Sequence, residues 1–161
     1  MCSRETPPEF VARMAWQKAA DVALRLQPGA SPEGGLVVAC DTVAECVGRI
    51  LGKPVDRAHA AAMLRLLSGR EHHVYSGLCL WPLATAEPHV RVAVTKLHMD
   101  PLGSEQIEEY LASGLWEGKA GAFGYQDRVG WLHIESGSES NVIGLPLELL
   151  AEMLAESSAS D

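Results

Sequence analysis

Positive charge is scarce in this 161-residue sequence: 13 Lys plus Arg stand against 21 Asp plus Glu, for a formal net charge of −8. Such a chain repels a nucleic-acid backbone unless its few cations are gathered in one place, and an anionic membrane surface repels it likewise. No apolar run is long enough to cross a bilayer. The four cysteines, Cys2, Cys40, Cys46 and Cys79, follow no metal or redox spacing. Cys40 and Cys79 fall inside apolar runs, where thiols act as small core residues. The opening Met-Cys-Ser-Arg-Glu-Thr-Pro-Pro-Glu has no basic region followed by an apolar one, so no signal peptide is expected. Free thiols without an export signal point to the cytoplasm. Internal repeats and low-complexity blocks are also lacking. Neither nucleic acid nor membrane is expected as a partner.

A hydrophobic fraction of 47% over this length suits one domain with a real core, spanning 1–161 with a frayed tail at 155–161. Residues 7–26 read as a helix: Thr6 caps it, Pro7 and Pro8 suit its first turn, and Glu9 completes a capping box. Gln27-Pro28-Gly29 stops it, and 31–35 form a polar connection. The continuous apolar run 36–40 reads as a strand buried on both faces and ending at Asp41. A turn at Gly52-Lys53-Pro54 leads to a helix over 57–67 closed by Ser68-Gly69. Residues 74–83 and 90–97 read as a hairpin, 104–113 as a helix, 131–134 as a strand, and 146 to about 156 as a last helix. This interleaving predicts an α/β fold in which helices flank a mixed, twisted sheet.

Ligands in open α/β folds bind beyond the carboxyl ends of strands, which places Asp41-Thr42 well for a metal or a water, or equally for capping a turn. Only four lysines exist: Lys18, Lys53, Lys96 and Lys119. Lys53 and Lys119 adjoin glycines, where a long cation and backbone N–H groups can approach one anion, although each loop alone also fits an ordinary solvated lysine. Neither is a P-loop, since Gly-x-x-x-x-Gly-Lys-Ser/Thr is absent. His72 and His73 would point to opposite faces of a strand, and all six histidines read as structural or solvated. Gly137-Ser138-Glu139-Ser140-Asn141 approaches a nucleophile elbow but lacks its second glycine, and no strand-to-helix turn is expected there.

Several segments together resemble the Maf family of nucleoside triphosphate pyrophosphatases. They are Val-Val-Ala-Cys-Asp-Thr-Val (37–43), Ile-Leu-Gly-Lys-Pro (50–54), Met-Leu-Arg-Leu-Leu-Ser-Gly-Arg-Glu-His-His-Val-Tyr-Ser-Gly (63–77), Ile-Glu-Glu-Tyr (107–110), Gly-Lys-Ala-Gly-Ala-Phe-Gly-Tyr-Gln (118–126) and Ser-Asn-Val-Ile-Gly-Leu-Pro (140–146). The resemblance implies a Maf/ITPase-like architecture and hydrolysis of the α–β phosphate bond, yielding a nucleoside monophosphate and pyrophosphate. It implies Asp41 as general base and metal ligand, Lys53 and Lys119 on the triphosphate, and Lys18 at the pocket edge. Mg²⁺ or Mn²⁺ is the implied metal and a homodimer the implied assembly. Thr42 and Gln126 stand where the dTTP- and UTP-acting subgroup carries its Thr and Gln, and a neutral amide can pair with a uracil or thymine edge. Ser76 and Ser68 are candidates for the phosphate side, or for ordinary strand and turn hydroxyls. The family's usual opening strand and Ser/Arg-rich loop have no counterpart in the sequence, so an N-terminally shortened sheet is expected. A non-catalytic, Maf-like nucleotide- or partner-binding protein is the alternative.

Overall fold

A computed structural model describes residues 5–26, 35–85, 87–127 and 129–158. The stop at 27–29, most of the connection at 31–35, Cys2 and residues 159–161 lie outside them. The elements run α1 (Pro7–Arg25), β1 (Leu36–Cys46), β2 (Arg49–Leu51), α2 (Arg57–Leu67), β3 (Glu71–Pro82), β4 (His89–Met99), α3 (Ser104–Ala112), single 3₁₀ turns at Ala120–Ala122 and Tyr125–Asp127, β5 (Leu132–Ser136), α4 (Glu139–Ile143) and α5 (Leu147–Ser158). No helix of the described residues is long and apolar enough to cross a membrane.

The strands form one sheet in the order β2-β1-β3-β4-β5. Helices flank it as expected. Where a mixed sheet is predicted, every pair among the described residues is antiparallel. Part of the reason lies in the connections, since a two-residue turn joins β1 to β2 and a six-residue loop joins β3 to β4, and each reverses the chain. The alternation of side chains then assigns the helices. Val37 and Cys79 face α1 and meet Ala15 and Ala19. On the other face Ala44, Cys46, Val74, Leu97 and Met99 pack with residues of α2 and α3. Leu78 and Leu80 meet Met153 of α5 on that same face. The cavity described below opens between these last two clusters.

Capping chemistry sets several ends. The Glu9 carboxylate accepts the Thr6 backbone N–H at 2.8 Å and the Thr6 hydroxyl at 2.7 Å, so the expected start of α1 is present. Asp56 accepts the His59 N–H at 2.7 Å and starts α2, which covers the predicted 57–67. The final helix continues to Ser158, so 155–158 are helical rather than frayed.

Two strand expectations need correction. β1 does not end at Cys40 but continues through Asp41 to Cys46, because β3 supplies pairing partners as far as His73 opposite Glu45. Nor is β1 buried on both faces: Leu36 and Val38 are exposed. The unpredicted β2 follows a two-residue turn in which both Val47 (φ 53°) and Gly48 (φ 72°) are left-handed. That geometry suits Asn-Gly and strains a β-branched valine, which here is 70% exposed and gains little from packing. Val47→Asn is therefore expected to stabilise the protein by about 1 kcal/mol, read as a rise of about 2–4 °C in Tm. An unchanged or lower Tm would show that the strain is absorbed elsewhere.

Candidate functional site

Asp41 lies in the middle of β1, opposite Gly77 of β3, and not beyond a strand end. It is reachable because β2 pairs only with Ala44–Cys46, so among the described residues no strand runs along the β1 edge beside Asp41. A cavity of about 360 Å³ reaches round that edge. This size is within the range of small-molecule sites. Lys18, Asp41, Thr42, Lys53, Lys119 and Gln126 all line it. Six of the eight candidate site residues named from the sequence thus share one cleft.

Ser76 is one of the two exceptions. It is fully buried and its hydroxyl shares a 2.7 Å hydrogen bond with that of Thr42, so it backs the wall and does not form it. It shares the face of Thr42, its cross-strand partner, but is on β3, enclosed between β1 and β4, with its hydroxyl donating to the Asn141 carbonyl at 3.5 Å. Ser68 is also away from the cavity lining, its Oγ accepting the Leu102 N–H at 2.7 Å to tie two loops.

The cationic end is assembled from three separate elements. On α1, the Lys18 ammonium donates to Asp41 Oδ1 at 2.5 Å and to the Cys40 carbonyl at 3.1 Å. Lys53 follows β2, and Lys119 precedes the first 3₁₀ turn. The Gly121 N–H donates to the Gly52 carbonyl at 3.0 Å, so main-chain bonding ties the two lysine loops together. Lys119 in turn donates to both carboxylate oxygens of Asp127, at 2.5 and 2.7 Å. Lys96, the remaining lysine, is on β4 with Glu71 and Glu135, away from the cavity lining. In a chain of net charge −8, three of its four lysines converge on a single cleft. Such focusing is the electrostatic signature of a site for a compact polyanion.

The other end is apolar, walled by Leu67, Val74, Met99, Phe123, Leu132 and Val142. His72, read from the sequence as structural or solvated, is 4% exposed and lines this end as well. Burial pushes its pKa down, so it is a neutral wall of the site. Cys40 also lines the cavity; burial pushes its thiol up, and Sγ donates to the Gly144 carbonyl at 3.3 Å. A thiol so held is no nucleophile. Gly144 also accepts from Thr42 Oγ1 at 3.3 Å. Its position is set by α4, which Asn141 pins to the sheet by donating to the Val74 carbonyl (3.1 Å) and to Thr95 Oγ1 (2.9 Å).

Contrary to expectation, residues 132–143 do make a strand-to-helix turn. Ser138 Oγ there accepts the Asn141 N–H at 3.2 Å and caps α4. The hydroxyl is used as a helix cap, which leaves the serine-hydrolase reading without a nucleophile.

The family model for Maf-like proteins matches residues 2–157. The chain belongs to the Maf family. A dTTP/UTP pyrophosphatase of Rhodopirellula baltica is 56% identical to this Maf chain over 155 residues, covering 96% of the chain and 66% of that protein. Similar proteins of the same description occur in Pelotomaculum thermopropionicum and in Clostridium botulinum strain Hall. The first is 41% identical, covering 92% of the chain and 75% of that protein. The second is 36% identical, covering 95% and 78%. The chain thus spans two thirds to about four fifths of the length of these relatives.

Proposed function

We propose that this Maf chain is a hydrolase that cleaves dTTP or UTP between the α and β phosphates, releasing the monophosphate and pyrophosphate. The single observation that carries this reading is the convergence of Lys18, Lys53 and Lys119 on the cleft that holds Asp41 and ends in an apolar wall. A triphosphate matches the cationic end and a pyrimidine with its sugar the apolar one. The relatives' description as dTTP/UTP pyrophosphatases supports the same substrates.

In this mechanism Asp41 accepts a proton from the attacking water. The water oxygen bonds to the α phosphorus while the bond from that phosphorus to the bridging oxygen breaks, and pyrophosphate leaves with the electron pair. The lysines offset charge on the phosphoryl oxygens, where a fixed cation costs no reorganisation during the reaction. Lys18 fixes the Asp41 carboxylate. Thr42 shapes the wall through Ser76 and Gly144, and the Gln126 amide pairs with the pyrimidine edge. A divalent cation, Mg²⁺ or Mn²⁺, belongs to the proposal. The described residues contain no cluster of three or more carboxylate, imidazole or thiol ligands. A donor set of Asp41 with substrate phosphates still suits Mg²⁺, which is commonly held by one or two carboxylates and phosphate oxygens. When bound, the ion would supply charge neutralisation. A homodimer in the cytoplasm is part of the same reading.

Pyrophosphate release tests it. With Mg²⁺ present, kcat/KM for dTTP and UTP is expected to exceed that for the purine triphosphates by about tenfold or more, the scale of one base-edge hydrogen bond made or left unpaired. No pyrophosphate from either pyrimidine nucleotide would sink the reading.

A further inference from the structure

Lysine is a poor fixed point: its long stem has four rotatable bonds, and ordering it costs conformational entropy. Lys18 is steadied by a carboxylate that itself lines the cavity. Lys119 is steadied differently. Its partner Asp127 has a side chain only 5% exposed, against 21% for Lys119, and lies behind the wall that Lys119 and Gln126 contribute. We propose that Asp127 is the positioning residue for Lys119, holding its ammonium at the phosphate end of the cavity. The proposal rests on the reading of that cavity as a nucleoside triphosphate site.

Three features make Asp127 a fixed anchor. Its two oxygens both accept from Lys119, so the ammonium is located by two bonds instead of one. Tyr110 Oη donates to Oδ2 at 2.6 Å, and that phenol is 3% exposed, standing on α3 between Phe123 (5.0 Å) and Trp131 (6.0 Å). Burial drives the Tyr110 pKa upward, so the hydroxyl keeps its proton and remains a donor at any working pH. Finally, Gly124 provides a notch for the lysine. A Cβ there would stand 2.8 Å from Nζ and 2.9 Å from both Cδ and Cε of Lys119.

The opposite role for Asp127 is a counterion that phosphate must displace. Displacement would leave a buried carboxylate with Tyr110 in place of its cation, and a buried charge stripped of its partner is strongly unfavourable. Asp127 therefore stays bonded while the substrate is held.

A double-mutant cycle tests the assignment, with binding of inorganic tripolyphosphate by calorimetry as the main readout. Thermal unfolding of each variant and pyrophosphate release from dTTP accompany it. Asp127→Asn is expected to weaken tripolyphosphate binding about tenfold in the otherwise unchanged protein. In a Lys119→Gln background the same substitution should change affinity less than about twofold, because the group being positioned is gone. Tyr110→Phe, which keeps the Lys119–Asp127 pair, should give a smaller loss of the same kind. An equal loss in both backgrounds would mark a merely structural role and overturn the proposal. Tighter binding by Asp127→Asn would overturn it in favour of the displaced counterion. Absence of tripolyphosphate binding by the unsubstituted protein would overturn both the proposal and the reading beneath it. Binding with the expected coupling, but no pyrophosphate from dTTP, would leave the positioning role standing and remove the hydrolase reading alone.

Discussion

Asp41→Asn is expected to lower kcat on dTTP by about 10²–10⁴-fold, the usual worth of a positioned general base. The carboxamide keeps the shape and can still accept a hydrogen bond from Lys18, but it cannot take a proton from water. Little stability should be lost. The Lys18 side chain is 49% exposed, and ion pairs with such an exposed partner contribute only about 0–1 kcal/mol. A Tm within about 3 °C of the parent, together with near-complete loss of pyrophosphate release, is the expected pattern. Turnover within twofold of the parent would show that water is activated elsewhere. Unfolding of the variant would instead make Asp41 a structural residue.

Gly77→Ala carries the largest expected effect on stability. Gly77 pairs with Asp41 in the sheet and lies directly beneath α1. A Cβ at this position would sit 2.1 Å from the Val11 carbonyl oxygen, 2.4 Å from its carbon and 2.8 Å from the Ala12 nitrogen. These are main-chain atoms inside a helix and cannot swing aside, so α1 as a whole must lift. Overpacking of this kind costs about 3 kcal/mol or more, a fall in Tm of about 6–12 °C at this chain length. Lifting α1 would also withdraw Lys18 from Asp41, so binding of tripolyphosphate should weaken in step. Gly52→Ala is the control: nothing lies within 4 Å of a Cβ there, and its Tm should stay within about 2 °C of the parent. Equal melting of the two variants would refute the close-approach argument.

What the sequence discloses about this molecule is mostly what is local. The capping box at Thr6 and Glu9 and the closure of α2 at Ser68-Gly69 are written in adjacent residues, and the structure places them where the pattern predicts. The extent of β1 depends on β3. An apolar run that stops at Cys40 gives no sign that Thr42, Val43, Ala44 and Glu45 will each find a partner some thirty residues on. The three residues of β2 are too few to show an alternation at all. In the site, glycine context singles out Lys53 and Lys119, whereas Asp41 is picked by a strand-end rule that does not hold for it, since β1 runs on past it to Cys46. The sequence does not distinguish a lining hydroxyl from a buried one, because Thr42 and Ser76 share one face of the sheet and differ in that β3 is enclosed between β1 and β4 while Thr42 lies on β1 beside the open edge. Asp127 escaped notice although a visible signal existed: it is an acid within a glycine-rich segment that also carries a lysine. His72 is missed for a different reason, since only the fold shows that this strand histidine is buried and lines a cavity together with Leu67 of α2 and Leu132 of β5.

The uneven distribution of lysine has a kinetic consequence. In dilute buffer, where the Debye length reaches about 30 Å at 0.01 M salt, an approaching polyanion feels the whole molecule, whose formal charge is −8, and is pushed away. Once inside the cleft it meets Lys18, Lys53 and Lys119 and is drawn in. Dilute buffers thus slow the encounter while strengthening the final grip, because the far field and the near field have opposite signs.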